Sequence, residues 1–231
     1  MSRREARREA GADVSDFVID WEREARTGVA EAVLCEPKTP AQIAAILETA
    51  ATNGARLLLT RLSPSQHDDL PEALRGLLDF DALSRTAILG GPHPGPSVEG
   101  TLIVAAGTAD LGPAREAART LAFHGHAAPV IADVGVAGLW RLNAQIGRLR
   151  EARVLIVAAG MEGALFSVVA GLVSAPVIAL PTSVGYGVAS GGGVALNAAL
   201  SSCAPGVMAM NIDNGFGAAV AAIKILRISR R

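Results

Sequence analysis

Acidic and hydroxyl side chains recur in five short glycine-bearing stretches of this 231-residue sequence: GTAD (107–110), DVGVAG (133–138), GMEG (160–163), PTSVGYG (181–187) and NIDNGFG (211–217). Their acids are Asp110, Asp133, Glu162 and Asp213. Carboxylates in such turns can ligate magnesium beside a diphosphate or exchange protons with a substrate. They can equally cap the helices that follow. Thr108, Thr182 and Ser183 can donate hydrogen bonds to a phosphate, and glycine lets backbone N–H groups approach it. Gly160, Met161, Gly163, Asn211, Asn214 and Gly215 are the further substrate contacts these turns offer. Glu162, set between Met161 and Gly163 in an apolar context, is the candidate acid or base.

The nucleophile is harder to assign. No GxSxG elbow is present for a serine hydrolase. Neither GK[ST] nor a GxGxxG following a strand occurs, which disfavours the usual ATP and NAD loops. His67, His93, His124 and His126 show no metal-ligand spacing near the turns, and His124 and His126 read as partners of a helix dipole. The two cysteines, Cys35 and Cys203, are far apart, against a disulfide scaffold or thiolate zinc site and in keeping with a reducing cytoplasm. Cys203 precedes a strand, at the sheet end opposite the usual ligand crevice. Residue types alone leave it open between a small packing residue and a nucleophile.

These turns need a scaffold that gathers them. From residue 101 one unit repeats: an apolar run, a glycine-bearing turn, a helix. The runs are TLIVAAG (101–107), APVIADV (128–134), RVLIVAAG (153–160), APVIALP (175–181) and VMAMNI (207–212). The helices are GPAREAARTLAFHG (112–125), AGLWRLNAQIGRLR (137–150), ALFSVVAGLV (164–173), GGGVALNAALSS (191–202) and GAAVAAIKILR (217–227). This alternation predicts an α/β fold, a three-layer parallel sheet of five βα units in flavodoxin-like order. Ligands in such sheets bind beyond the carboxyl ends of the strands, where the five turns fall.

The N-terminal part reads less regularly. SDFVIDWEREART (15–27) suggests a helix, and EAVLCE (31–36), RLLLTR (56–61) and RTAILG (85–90) suggest strands. TPAQIAAILETAATNG (39–54) is a capped helix: Thr39 at the N-cap, Pro40 after it, Gln42 completing a capping box and Gly54 at the stop. GGPHPGPSVEG (90–100) is linker-like. The expected division is a flexible basic tail over 1–14, a small α/β domain over 15–95 and the five-unit domain over 101–228.

Half the residues are hydrophobic and only 3% aromatic, so Ala, Val, Gly and Leu must build the core. A net charge of −1 supplies no global field for nucleic acid. The apolar stretch 154–183 is interrupted by Glu162, glycines and prolines. It reads as buried strands, since a membrane helix needs about 20 continuous apolar residues. The charged N-terminus is unlike a secretory signal. No nucleic acid, no membrane and a cytoplasmic location are therefore expected.

In order, GTAD, DVGVAGLWRL, AAGMEGALFSVVAGL, PVIALPTSVGYG, LSSCAPGV and NIDNGFGAA resemble the LarB family. That family is the carboxylase/hydrolase of nickel-pincer cofactor biosynthesis, itself similar to the PurE carboxyaminoimidazole ribonucleotide mutases. The likeness is dense over 101–223 and thinner over EAVLCEPKTPAQI and LLLTR. It implies a PurE-like catalytic domain acting on nicotinic acid adenine dinucleotide. The pyridinium ring would gain a second carboxylate from carbon dioxide or bicarbonate, and the phosphoanhydride would be hydrolysed. The products would be pyridinium-3,5-biscarboxylic acid mononucleotide and AMP. The resemblance implies Cys203 as the ring-attacking nucleophile and Glu162 as the base. It puts Thr108, Asp110, Asp213 and Asn214 near a diphosphate with magnesium, and implies no tightly bound organic cofactor. It further implies a homo-octamer or other homo-oligomer, with the SSCAPG loop completing a site across an interface. The chain departs from the pattern at Ala109, usually Ser, and at Trp140, often His. Leu165 stands where the mutase branch has a histidine, which argues against mutase chemistry. Carboxylate transfer on an aminoimidazole ribonucleotide and a nucleotide-binding module without turnover are the competing readings.

Overall fold

The computed structural model describes residues 17–228, organised around two sheets. The basic tail expected over 1–14 lies outside the described residues. In chain order the first part runs α1 (Arg23–Thr27), β1 (Ala32–Leu34), α2 (Pro40–Thr52), β2 (Leu57–Thr60), α3 (Pro64–Asp68), α4 (Glu72–Arg75), β3 (Leu78–Asp81) and β4 (Thr86–Leu89). Its sheet has the order β1-β2-β4-β3; β1 and β2 are parallel, the other neighbours antiparallel. α2 begins as its sequence dictates. The Gln42 N–H donates to the Thr39 hydroxyl and the Thr39 N–H to the Gln42 side chain, with Pro40 in the first turn.

The helix expected over 15–27 is shorter in the structure, where only Arg23–Thr27 is helical among its described residues. Phe17 and Ile19 both pack on the core of the first sheet. A spacing of two puts side chains on one side of extended chain, not of a helix. α3, α4 and β3 carried no periodic signal because each is four or five residues long. Ser63 and Gln66 nevertheless form a second capping box at the start of α3.

The second part runs β5 (Thr101–Ala105), α5 (Leu111–Phe123), β6 (Val130–Ile131), α6 (Leu139–Asn143), α7 (Ile146–Glu151), β7 (Val154–Ala159), α8 (Ala164–Ala170), β8 (Val177–Pro181), α9 (Gly193–Leu200), β9 (Val207–Ala209) and α10 (Gly215–Ile228). Its strands are all parallel, in the order β6-β5-β7-β8-β9. That is the flavodoxin-like order. The helix expected over 137–150 is broken at Ala144 and Gln145, just after Asn143, a poor helix former that ends α6.

β7 shows why these strands are apolar throughout. Val154, Ile156 and Ala158 face the core under α5 and α10, while Leu155, Val157 and Ala159 face the opposite core under α8 and α9. Both faces are covered, so no position is free to be polar. Ala114 and Ala117 of α5 share their core with Ala218, Ala219 and Ala222 of α10, and such small side chains let the two helices lie close. The apolar stretch 154–183 is thus two strands and a short helix, and among the described residues no helix is long and apolar enough to cross a membrane.

α5 also carries the first sheet on its other side. Arg115 pairs with Asp81, while the Arg119 guanidinium donates to Thr86 Oγ1 at 2.7 Å and pairs with Asp79 at 3.2 Å. Phe123 is buried with Leu58 and Ile88 beneath the Arg56 guanidinium, which lies 4.4 Å from its ring centroid. His124 Nε2 accepts the Ala30 N–H at 3.2 Å while Nδ1 faces Thr120 O, and burial lowers its pKa. The half-buried imidazole thus meets the Thr120 carbonyl in the last turn of α5 and bridges it to the Ala30 backbone of the first sheet.

Candidate active site

Parallel strands put all five glycine-bearing turns at one edge of the second sheet. Three turns hold a non-glycine residue in the left-handed region: Asp133 (φ 59°), Met161 (φ 51°) and Asp213 (φ 54°). Such backbone costs energy and persists where surrounding bonds over-determine it, typically at functional sites. Here the bonds are explicit. The Met161 N–H donates to Val184 O at 2.8 Å and the Asp213 N–H to Pro181 O at 2.9 Å. The Asp213 carboxylate accepts the Ser183 N–H at 2.8 Å.

The turns after β5, β6 and β7 enclose an open cleft of about 430 Å³, lined among others by Gly107, Asp110, Gly160, Met161 and Glu162. Glu162 is exposed and has no hydrogen-bond or ion-pair partner among the described residues. On the facing wall Asp133 is paired with Arg141 at 2.5 Å. Asp110 is only 4% exposed, and both its oxygens are engaged, one by the Gly107 N–H and one by the Thr182 hydroxyl. Thr182 is itself fully buried, so the pair ties the first turn to the fourth instead of presenting polar atoms to a ligand. Thr108 is exposed beside them, and Gly163 caps α8 with φ 65°.

A second cleft, of about 210 Å³, adjoins the first at Ala109 and Val184, which line both. Its other lining residues include Ser183, Asp213, Glu116, Arg61 and Arg85. The Arg61 guanidinium donates to Asp213 O at 3.0 Å, joining the end of β2 to the NIDNGFG turn. Asn211 and Asn214 face a third hollow with Arg61 and Glu116. The Asn214 side chain accepts the Gly217 N–H, and the buried Gly215 donates its N–H to Glu116 at 3.0 Å.

Glu116 was invisible as a site residue in the sequence, although a carboxylate on the buried side of α5 is a signal of its own. It is 5% exposed, and burial pushes its carboxyl up to about 7 against the opposing pull of Arg61 and the Gly215 and Phe216 N–H groups. A raised folded-state pKa stabilises the fold below about pH 4.5 and loses that contribution as pH climbs through about 7. The difference is on the order of 3 kcal/mol. Melting temperature should therefore fall between pH 5 and 8, and Glu116→Gln should flatten the fall; parallel curves for the two proteins would contradict this assignment.

The candidate nucleophile lies elsewhere in the chain. Cys203 is exposed on the loop entering β9, at the strand ends opposite the turns, and lines none of these clefts. The loop is anchored by Ser202, whose hydroxyl is 2.8 Å from that of Ser167 on α8. Cys35 is fully buried, and desolvation raises its thiol to about 12. Of the two thiols only Cys203 is open to chemistry.

Of the two acids named for the magnesium region, Asp110 has both carboxylate oxygens engaged within the chain. Among the described residues no three His, Cys, Asp or Glu side chains are placed to hold an ion.

Residues 12–90 match the model of the LarB/PurE-like N-terminal domain. An uncharacterized protein of Methanocaldococcus jannaschii, MJ0165, is 38% identical over 223 residues, covering 92% of this chain and 85% of that protein. The chain belongs to the LarB/PurE-like family. Membership makes it a carboxylase-type protein, and the family match falls on the first sheet, where the motif resemblance was thinnest. The relative extends the likeness over nearly the whole chain.

Proposed function

We propose that this LarB-like protein carboxylates the pyridinium ring of nicotinic acid adenine dinucleotide and hydrolyses its phosphoanhydride to pyridinium-3,5-biscarboxylic acid mononucleotide and AMP. Two exposed functional groups carry the reading. An unpartnered carboxylate, Glu162, lines the groove, and the one accessible thiol of the two, Cys203, stands exposed. Family membership supports it.

The chemistry explains why a thiol is wanted. A pyridinium ring is electron-poor and does not attack carbon dioxide. Addition of the Cys203 thiolate forms a C–S bond and turns the ring into an enamine, whose β-carbon is nucleophilic. That carbon bonds to carbon dioxide. Glu162 then takes the proton from the same carbon, and the ring recovers aromaticity by expelling the thiolate. Hydrolysis adds water across the phosphoanhydride, with AMP as the leaving half. Gly107 lets its turn backbone approach a phosphorylated ligand. Magnesium would arrive with the diphosphate, and no step above depends on it.

One chain holds Cys203 and Glu162 at opposite strand ends, so the reading requires a homo-oligomer in which the SSCAPG loop reaches a neighbour's groove. A cytoplasmic, nickel-cofactor role belongs to the same proposal. The test is incubation with nicotinic acid adenine dinucleotide, bicarbonate and magnesium, followed by chromatography. Equimolar AMP and dicarboxylated mononucleotide are expected; absence of both contradicts the reading.

A further inference from the structure

We propose that the first sheet supplies the site's adenylate-phosphate clamp: Arg61 and Arg85, at the far end of the groove from Glu162, hold the phosphate of the AMP half. This rests on the dinucleotide reading above. The first cleft, at about 430 Å³, is of a size for one nucleotide-like half, near the lower end of small-ligand pockets. Past Ala109 and Val184, which line both clefts, lies the second cleft, lined by Arg61 and Arg85; Arg61 also lines the adjoining third hollow with Glu36. An elongated substrate with its reacting ring at Glu162 would extend its other half in that direction.

Both arginines are held in unusual backbone. Arg61 has φ 52° and Arg85 φ 54°, in the left-handed region that non-glycine residues rarely adopt. Arg61 stands immediately after β2 and Arg85 immediately before β4, on neighbouring antiparallel strands, and Arg85 also donates to Arg61 O at 3.3 Å. This brings two cations together. Their shared counter-ion is Glu36, 3.5 Å from each and 52% exposed. Long, exposed pairs of this kind contribute little to stability. A phosphate meeting the guanidinium forks directly would displace Glu36, because charge-assisted forked bonds are the stronger kind.

The acids of the cleft are accommodated. Asp213 already accepts the Ser183 N–H, and Glu116 accepts the Gly215 N–H. Burial holds Glu116 partly protonated near neutral pH. The exposed Ser183 hydroxyl, which has no hydrogen-bond partner among the described residues, adds a neutral donor to the same cleft. The arrangement gives the first sheet a reason to be joined to the catalytic sheet: Arg61 reaches Asp213 across 152 residues of sequence.

The test is calorimetric titration of AMP, adenosine and nicotinic acid mononucleotide into wild type, Arg85→Ala, Arg61→Ala and Arg85→Lys. Both alanine variants should weaken AMP at least tenfold and leave adenosine and the mononucleotide within about twofold. Arg85→Lys, which keeps the charge and loses the fork, should fall between, and it decides the matter if an alanine variant fails to fold. With dinucleotide as substrate, KM should rise with little change in kcat. AMP binding that is absent in wild type, or equal in wild type and the folded variants, overturns the clamp. If products form while the variants bind AMP normally, the clamp fails and the reaction stands. If the variants lose AMP while wild type makes no product, the clamp stands and the reaction reading fails.

Discussion

Replacing Cys203 by serine is expected to lower formation of the dicarboxylated mononucleotide at least a thousandfold, roughly the scale of losing a covalent nucleophile. A hydroxyl at that position lacks the thiolate that must add to the ring and then leave it. The substitution should otherwise be quiet. Cys203 is exposed on a loop held by the Ser202–Ser167 hydrogen bond, so exchanging sulfur for oxygen removes no core packing. Melting temperature should stay within about 2 °C, and affinity for the dinucleotide within about threefold. Product formation at a wild-type rate in the serine variant would remove the thiol from the mechanism.

Gly160→Ala should be the most damaging change of a single methyl group. A Cβ there would lie 2.1 Å from Val184 O and 2.7 Å from Thr182 Oγ1. The first atom is the acceptor of the Met161 N–H, and the second is the hydroxyl bonded to Asp110. The methyl must therefore displace backbone and break the two links that hold the first, third and fourth turns together. Overpacking against backbone costs about 3 kcal/mol, equivalent to a fall of about 6–12 °C in melting temperature for a chain of this size. Activity should fall further than stability, because Glu162 follows the displaced Met161. Gly147→Ala is the control: nothing lies within 4 Å of a Cβ at that position. It should be neutral or stabilising by about 0.5–1 kcal/mol. Thermal melts and product assays of the two variants check both statements, and a Gly160→Ala protein matching wild type would contradict the packing described.

Much of the fold is legible in the sequence because its signals are local. Strands buried on both faces read as unbroken apolar runs, and the Thr39–Gln42 box announces α2 within four residues. The turns could be placed at strand ends for the same reason. What depends on distant packing could not be read. Asp110 and Thr182 look like two donors and acceptors for a ligand, yet they bond to each other across 72 residues. Arg61, Arg85 and Glu116 acquire meaning only when the first sheet docks on α5 and the NIDNGFG turn. The apolar spacing of Phe17 and Ile19 belonged to a chain lying along the first core, not to a longer helix. His124 near the end of α5 becomes a bridge between the Thr120 carbonyl and the Ala30 N–H only because the first sheet packs there, and burial lowers its pKa.

The most direct test of the account is a time course of acid-quenched reactions with nicotinic acid adenine dinucleotide and bicarbonate, read by intact-protein and peptide mass spectrometry. A transient increase equal to a bound pyridine nucleotide, mapped to the peptide containing Cys203 and absent from Cys203→Ser, is the predicted result. Product accumulation with no adduct at Cys203 at any time, or an adduct on Cys35 instead, would contradict it.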